Sequence, residues 1–350
     1  MSKNIIVTGV TGQDGSYMVE HLLANTDYNI LGGVRRLSVP NYKNISHIKN
    51  KRFKLIDIDL TDVHSLENAI FEYKPKFFIN FAAQSFVGAS WSFPQQTFHV
   101  NATSVLDILE CLRKHAPKCR LYNAGSSEEF GNIEYTPQDE KHPSNPRNPY
   151  AVSKCSARQF IKIYRESFNI FAIQCWLFNH ESPRRGIEFV TRKITNGVAK
   201  IHHALKQNKP IEPIVLGNLN AQRDWTDARD CVRLIWDILN LREPKEYVIG
   251  SGESYTIRDF INPAFESVGI KGKWEGEGLN EKYIYKDKVL ITISPEFYRP
   301  DAINSWQDIR TADIKKAKAD LNWKLDATLE QLAISMVKND IELLKNEIRY

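Results

Sequence analysis

Several things are scarce in this sequence, and each scarcity excludes a class of protein. Cysteine is sparse: 350 residues hold five, at 111, 119, 155, 175 and 231. The number is odd and no Cys-x-x-Cys pair occurs, which argues against a disulfide framework or a zinc site and predicts reduced, buried thiols. The nine histidines show no ligand spacing, so no metal is expected. No apolar run is long enough to span a bilayer. The amino terminus leads directly into a strand pattern without the order of a secretion signal, so a cytoplasmic protein with no membrane partner is expected. Charge of one sign is missing too: 47 basic side chains face 42 acidic ones, for a net +5. They are scattered rather than gathered in a stripe, which sets nucleic acid aside as a partner. Repeats and low-complexity tracts are absent.

What is present is ordinary globular composition, 42% hydrophobic and 25% charged, in a chain long enough for one large domain and a smaller companion. The first half alternates strand and helix patterns. Strands are expected at 4–8, 28–34, 53–58, 77–83, 119–124 and 170–177. Helices are expected at 14–24, 62–72 (capped at Thr61–Asp62), 97–114 and 150–168. The run FFINFAA at 77–83 is apolar throughout, as a strand buried on both faces requires. Such alternation predicts an α/β fold, a doubly wound parallel Rossmann sheet, followed by a smaller mixed α/β domain. After about Asn179 the alternation weakens and prolines multiply, at 183, 210, 213, 244, 263, 295 and 300. The expected division is a dinucleotide-binding domain over 1–178 and a mainly substrate-binding one over 179–350, interleaved with the last strands of the sheet. A loop at 294–301 and helices at 311–323 and 326–346 complete the pattern.

Gly9, Gly12 and Gly15 lie between the first strand and its helix, where a glycine turn lets backbone and helix N-terminus meet a pyrophosphate. The second strand ends in Val34–Arg35–Arg36. An enzyme using NAD places an acidic residue there for the ribose; Arg35 instead suits the 2′-phosphate of NADP, with a pair of surface arginines as the plain alternative. Asp59–Leu60, after the third strand, falls where adenine lies. Asp59 either bonds the adenine amino group or caps a turn.

Tyr150 and Lys154 are four apart and share a helix face. An ammonium beside a tyrosine favours its phenolate, which then serves as a general base. An exposed Tyr and Lys would carry no such meaning, but this pair opens the helix after the strand ending near Ser126. Ser126 can bond a substrate hydroxyl at the carboxyl edge of the sheet, where such folds bind ligands. Glu128 is the discriminating residue: dehydration needs a second base to remove a proton next to a new ketone, whereas simple oxidation or 4-epimerisation does not. Glu129 is expected to be a solvated turn residue.

The segments TGVTGQDGSY, NFAAQSFVGASW, SSEEFG, NPYAVSK, FNHESPRRG, EFVTRKI, LGNLNAQRDW and FYRP, from residue 5 to about 325, resemble the GDP-mannose 4,6-dehydratase family. The resemblance implies a GDP-sugar substrate, bound NADP, and a homodimer or homotetramer in which the Arg35 loop reaches a neighbour. It implies that Tyr150, with Lys154 and Ser126, deprotonates the 4-hydroxyl, and that Glu128 takes the proton on carbon 5 before water leaves carbon 6. It extends the cofactor set to Thr11, Gln13, Asp14, Ala82, Ala83, Asn179, His180 and Arg185, with Arg184 beside the last. It gives the substrate Gln84, Ser85, Ser127, Asn179, Val190, Lys193, Leu216 and Gly217, with Arg223 and Arg299 on the diphosphate.

The chain departs from the family at Ser126, usually Thr; at Asp301–Ala302, where a Glu usually follows Arg-Pro by one residue; and over Val100–Thr103. GDP-manno-heptose is therefore an alternative substrate, and an epimerase or 4-dehydrogenase an alternative activity.

Overall fold

The computed structural model describes residues 3–297 and 309–348. The chain forms two compact units. The first contains the described residues up to Phe178, then Ala228–Ile249 and Ala312–Lys324; the second contains Asn179–Asp227, the described part of Gly250–Thr311, and the chain from Leu325.

The first unit is built on a parallel sheet. Its strands are β1 (Asn4–Thr8), β2 (Asn29–Val34), β3 (Phe53–Asp57), β4 (Phe77–Asn80), β5 (Arg120–Ala124), β6 (Ala172–Leu177) and a short last strand, Val248–Ile249. Their order across the sheet is Val248–Ile249, β6, β5, β4, β1, β2, β3, and every pairing is parallel. The order reverses between β1 and β4, the switch point at which such sheets open for a ligand. Both faces are covered, so the strands read as apolar runs: Ile5, Ile6, Phe78 and Ile79 are fully buried.

The helices follow their caps. Asp62 accepts the His64 N–H at 2.9 Å and starts Val63–Tyr73. Asn148 accepts the Ala151 N–H at 2.8 Å and starts Pro149–Phe168, with proline at the first helical position. The helix expected at 97–114 is interrupted: Pro94–Phe98 is followed by a π-helical turn, His99–Thr103, and then by Ser104–His115. The helix expected at 311–323 shortens to Lys315–Leu321. Ala312 instead forms an isolated bridge to Gln138, so tertiary pairing takes a residue that propensity gave to the helix.

The second unit has its own core. Ile214–Leu216 pairs in parallel with Lys288–Ile293, which continues antiparallel to Lys282–Tyr285 and then Lys273–Glu275. Helices Val190–Lys206, Ile257–Glu266 and Leu329–Ile348 pack with one another. Ile194, Val198, Phe260, Phe265, Ile291 and Met336 are at the centre of this core. Burying each such side chain is worth about 1.5–3 kcal/mol. Among the described residues no helix is long and apolar enough to cross a membrane.

Candidate active site

The turn after β1 is too tight for side chains. Gly9 has φ +70°, and a Cβ there would lie 2.7 Å from the Ala82 nitrogen. A Cβ on Gly15 would lie 2.3 Å from the Gly9 carbonyl oxygen. Gly12 donates its N–H to that carbonyl at 2.9 Å and begins the helix Gln13–Asn25. The helix N-terminus therefore stands at the switch point, with Phe81 and Ala82, just after β4, against the turn and Ala83 the next residue on. Gln13 donates to Asp14 at 3.0 Å. Arg35 is exposed just past the end of β2. Asp59 accepts both the Thr61 N–H (2.9 Å) and hydroxyl (2.7 Å), so it does cap a turn, and Leu60 is buried in the aliphatic cluster with Ile56 and Ile58.

The helix Pro149–Phe168 turns its chemistry inward. Tyr150, Ser153, Lys154, Ala157, Arg158 and Ile161 form its buried stripe at helical spacing. Lys154 is only 3% exposed. Its Nζ donates to the Ala124 carbonyl at 2.7 Å and lies 5.8 Å from the centre of the Tyr150 ring. Burial pulls its pKa down to about 8, against the opposing charge of Glu129.

Beyond β5 comes the turn Ser127–Phe130, a short 3-10 helix capped by Ser126. The Ser126 Oγ accepts the Glu128 N–H at 3.2 Å, and a hydroxyl that accepts there still has its proton to donate. Ser127 is buried. Glu128 is half-buried and accepts from Asn148 Nδ2 at 3.0 Å, which ties the turn to the start of the Tyr150 helix. A cavity of about 1070 Å³ opens beside this helix start, lined in part by Trp91, His99, Arg147, Asn148 and Val152.

Glu129 corrects the sequence reading. It is fully buried, not solvated, and its carboxylate meets Arg158 at 2.6 Å. Sequence reasoning missed this pair, and it missed Asn101. Asn101 brackets the Gln84 backbone, accepting its N–H at 2.9 Å and donating to its carbonyl at 3.0 Å, while also donating to Ser153 at 3.2 Å. Ser85 beside Gln84 is exposed.

In the second unit Asn179 and His180 lie in a three-residue strand paired with Trp225–Asp227. Arg185 meets Glu181 at 3.1 Å and stacks 3.6 Å over Phe189. Val190 opens its helix, and Lys193, one turn on, holds its ammonium 4.1 Å over the Phe297 ring; burial lowers its pKa. A Cβ on Gly217, which follows Leu216, would lie 2.1 Å from the Phe297 carbonyl oxygen. Lys193 and Gly217 thus meet at one turn, Ser294–Phe297. Arg223 lies on a two-residue strand paired with Tyr255–Thr256. Arg299 and Asp301–Ala302 lie outside the described residues. Missed in the sequence was Asp224, a fully buried carboxylate that accepts the Ser251 and Gly252 N–H groups at 2.6 and 3.0 Å.

A glycine turn at the switch point of a parallel sheet, with a buried Tyr-x-x-x-Lys helix beside the end of β5, is the construction of the extended short-chain dehydrogenases and reductases. Solved structures of that construction superpose along the chain. UDP-glucose 4-epimerase from Thermotoga maritima gives a TM-score of 0.80 at 20% identity, over 97% of this chain and 99% of that one. dTDP-glucose 4,6-dehydratase from Bacillus anthracis gives 0.77 at 21%, over 99% and 98%. A family profile described as GDP-mannose 4,6 dehydratase matches residues 6–336. Relatives bearing that description are 40% identical in Drosophila melanogaster (98% of this chain, 87% of the relative), 39% in Homo sapiens (97% and 92%) and 38% in Vibrio cholerae (98% and 95%). The chain belongs to the GDP-mannose 4,6-dehydratase family.

Proposed function

We propose that the chain converts GDP-mannose to GDP-4-keto-6-deoxymannose by moving one hydride within the sugar, with NADP as the carrier. The observation that carries this reading is the pairing of two bases at one place: Tyr150 and Lys154 on a buried helical stripe, and Glu128 bonded to the cap of the same helix. The cofactor fits the turn at Gly9 and Gly15, where only hydrogen leaves room for the backbone. A nicotinamide held there would supply a hydride acceptor for carbon 4 and a hydride donor for carbon 6.

Tyr150 takes the proton of the 4-hydroxyl as that carbon is oxidised. Lys154, fixed on the Ala124 carbonyl, favours the phenolate. Ser126 donates its hydroxyl proton to the substrate oxygen. Glu128 removes the proton of carbon 5, made acidic by the new ketone, and delivers it to the 6-hydroxyl, which leaves as water; the proton held by Tyr150 returns to carbon 5 as carbon 6 is reduced. Asn148 holds Glu128 for this step. In the second unit Lys193, Leu216, Gly217 and Arg223 recognise the GDP, and Arg35 in the first pairs with the 2′-phosphate of NADP.

The test is to incubate the purified chain with GDP-mannose, adding no cofactor, and weigh the product. Loss of one water without net change in cofactor absorbance is expected. Unchanged GDP-mannose would overturn the substrate assignment. For the cofactor, Arg35→Ala should weaken NADP and leave NAD unaffected; equal losses would remove that assignment.

A further inference from the structure

Four side chains cross the carboxyl end of the parallel sheet in one hydrogen-bonded row. Thr8, Asn80, Asn123 and Gln174 are register partners on β1, β4, β5 and β6. The Thr8 hydroxyl donates to Asn80 Oδ1. Asn80 Nδ2 donates to Asn123 Oδ1 at 2.7 Å, and Asn123 Nδ2 donates to Gln174 Oε1 at 2.7 Å. The Gln174 Nε2 then gives one bond to Glu129 Oε1 (3.1 Å) and one to the Lys154 carbonyl (2.9 Å). All of these side chains are buried, so every bond in the row is made in low dielectric.

The row ends in an ion pair that is itself saturated. Arg158 Nε lies 2.6 Å from Glu129 Oε2 and Nη2 lies 3.2 Å from Oε1. Its Nη1 donates to the Gln174 carbonyl at 2.5 Å, and the guanidinium rests 3.5 Å over the Trp176 ring. Glu129 Oε1 also accepts the Ser126 N–H at 2.9 Å. One carboxylate therefore holds the backbone of Ser126, while the amide bonded to it holds the backbone of Lys154. A buried ion pair is a poor source of stability, because desolvation offsets its attraction and a well-packed apolar pair does as well. What this pair supplies is placement.

We infer that Glu129 and Arg158 are positioning residues for the reaction, fixing Ser126 and Lys154 relative to each other through the Ser126 N–H and the Gln174 amide. The inference rests on the reading of Ser126, Tyr150 and Lys154 as the reacting set. Small misplacements of reacting groups cost on the order of a hundredfold in rate.

The experiment compares two variants of the full chain with GDP-mannose as substrate. Glu129→Leu with Arg158→Met removes both charges together, and with them the partners of the Ser126 N–H, the Gln174 Nε2 and the Gln174 carbonyl. Its KM should hold while kcat falls about 10- to 100-fold, and its Tm should fall because buried hydrogen-bonding groups lose their partners. Glu129→Gln keeps an oxygen for the Ser126 N–H. It should melt lower, because Arg158 loses its partner, yet retain most of kcat. Both variants should therefore melt lower, but only the one that leaves no oxygen for the Ser126 N–H should lose kcat. Wild-type kcat in the folded double variant, or kcat that tracks Tm in both, would overturn the inference. If the double variant fails to fold, Glu129→Ala is set against Glu129→Gln: both deprive Arg158 of its nearest carboxylate, but only Gln keeps an oxygen for the Ser126 N–H, so a kcat loss confined to Ala is expected. Tyr150→Phe is assayed alongside. Full activity there would sink the underlying site reading, whereas an inactive Tyr150→Phe beside an unaffected double variant would sink this inference alone.

Discussion

The two units treat their assigned residues differently. In the first, Ser126, Tyr150 and Lys154 are 9%, 8% and 3% exposed, and backbone contacts hold Ser126 and Lys154 without a substrate. In the second, Asn179, Lys193, Gly217 and Arg223 are half-buried and stand in the first turn of a helix, on strands of two or three residues, or just past one. Making and breaking bonds requires geometry fixed to fractions of an ångström, whereas charge recognition of a diphosphate tolerates reach.

Three changes would break or sharpen that contrast. Glu128→Gln should have the largest effect, lowering turnover about 10²- to 10⁴-fold. Oxidation at carbon 4 should survive, so reduced cofactor should build up in a stopped-flow absorbance trace; normal turnover would remove Glu128 from the chemistry. Arg223→Ala should raise KM for GDP-mannose roughly ten- to a hundredfold at unchanged kcat, the loss of a charged hydrogen bond of about 1.5–3 kcal/mol. A fall in kcat alone would put the second unit in the chemistry and erase the contrast.

The smallest effect is a pH dependence set by Lys154. Burial takes its pKa from 10.5 to about 8 in the folded chain. Between those values the unfolded chain binds the extra proton, so this group adds stability as pH rises through the window, and below it the cost of burying the cation is felt in full. With Lys154 in its proposed role, turnover should decline above about pH 8. Melting curves across this range for the wild type and Lys154→Met check the sign. Parallel curves would refute it.

Much of the first unit was legible because its signals are local. The apolar runs of β1 and β4, the glycine turn and the spacing of Tyr150 to Lys154 each lie within a few residues. Glu129 was not legible, since Glu128 and Glu129 are chemically identical neighbours. Which one turns inward is decided by Arg158, 29 residues on, and Gln174, 45 residues on. Asn148 could have been found, because an Asn-Pro step ahead of a helix is a cap signal. The second unit gave little for a different reason. Strands such as Gln222–Arg223 and Tyr255–Thr256 are too short to show alternation, and their pairing rests on contacts far apart in sequence.

The route of the chain between the units has a consequence for its history as a gene. The last strand of the large sheet, Val248–Ile249, is made only after the chain has already contributed Asn179–Asp227 to the other unit. A fragment stopping at Phe178 would leave the Trp176 and Phe178 N–H groups without the Tyr247 and Ile249 carbonyls, and β6 would become a bare apolar edge, prone to adding strands from other molecules. Neither unit can therefore be shuffled, lost or duplicated by a single cut, and the two are bound to be inherited together.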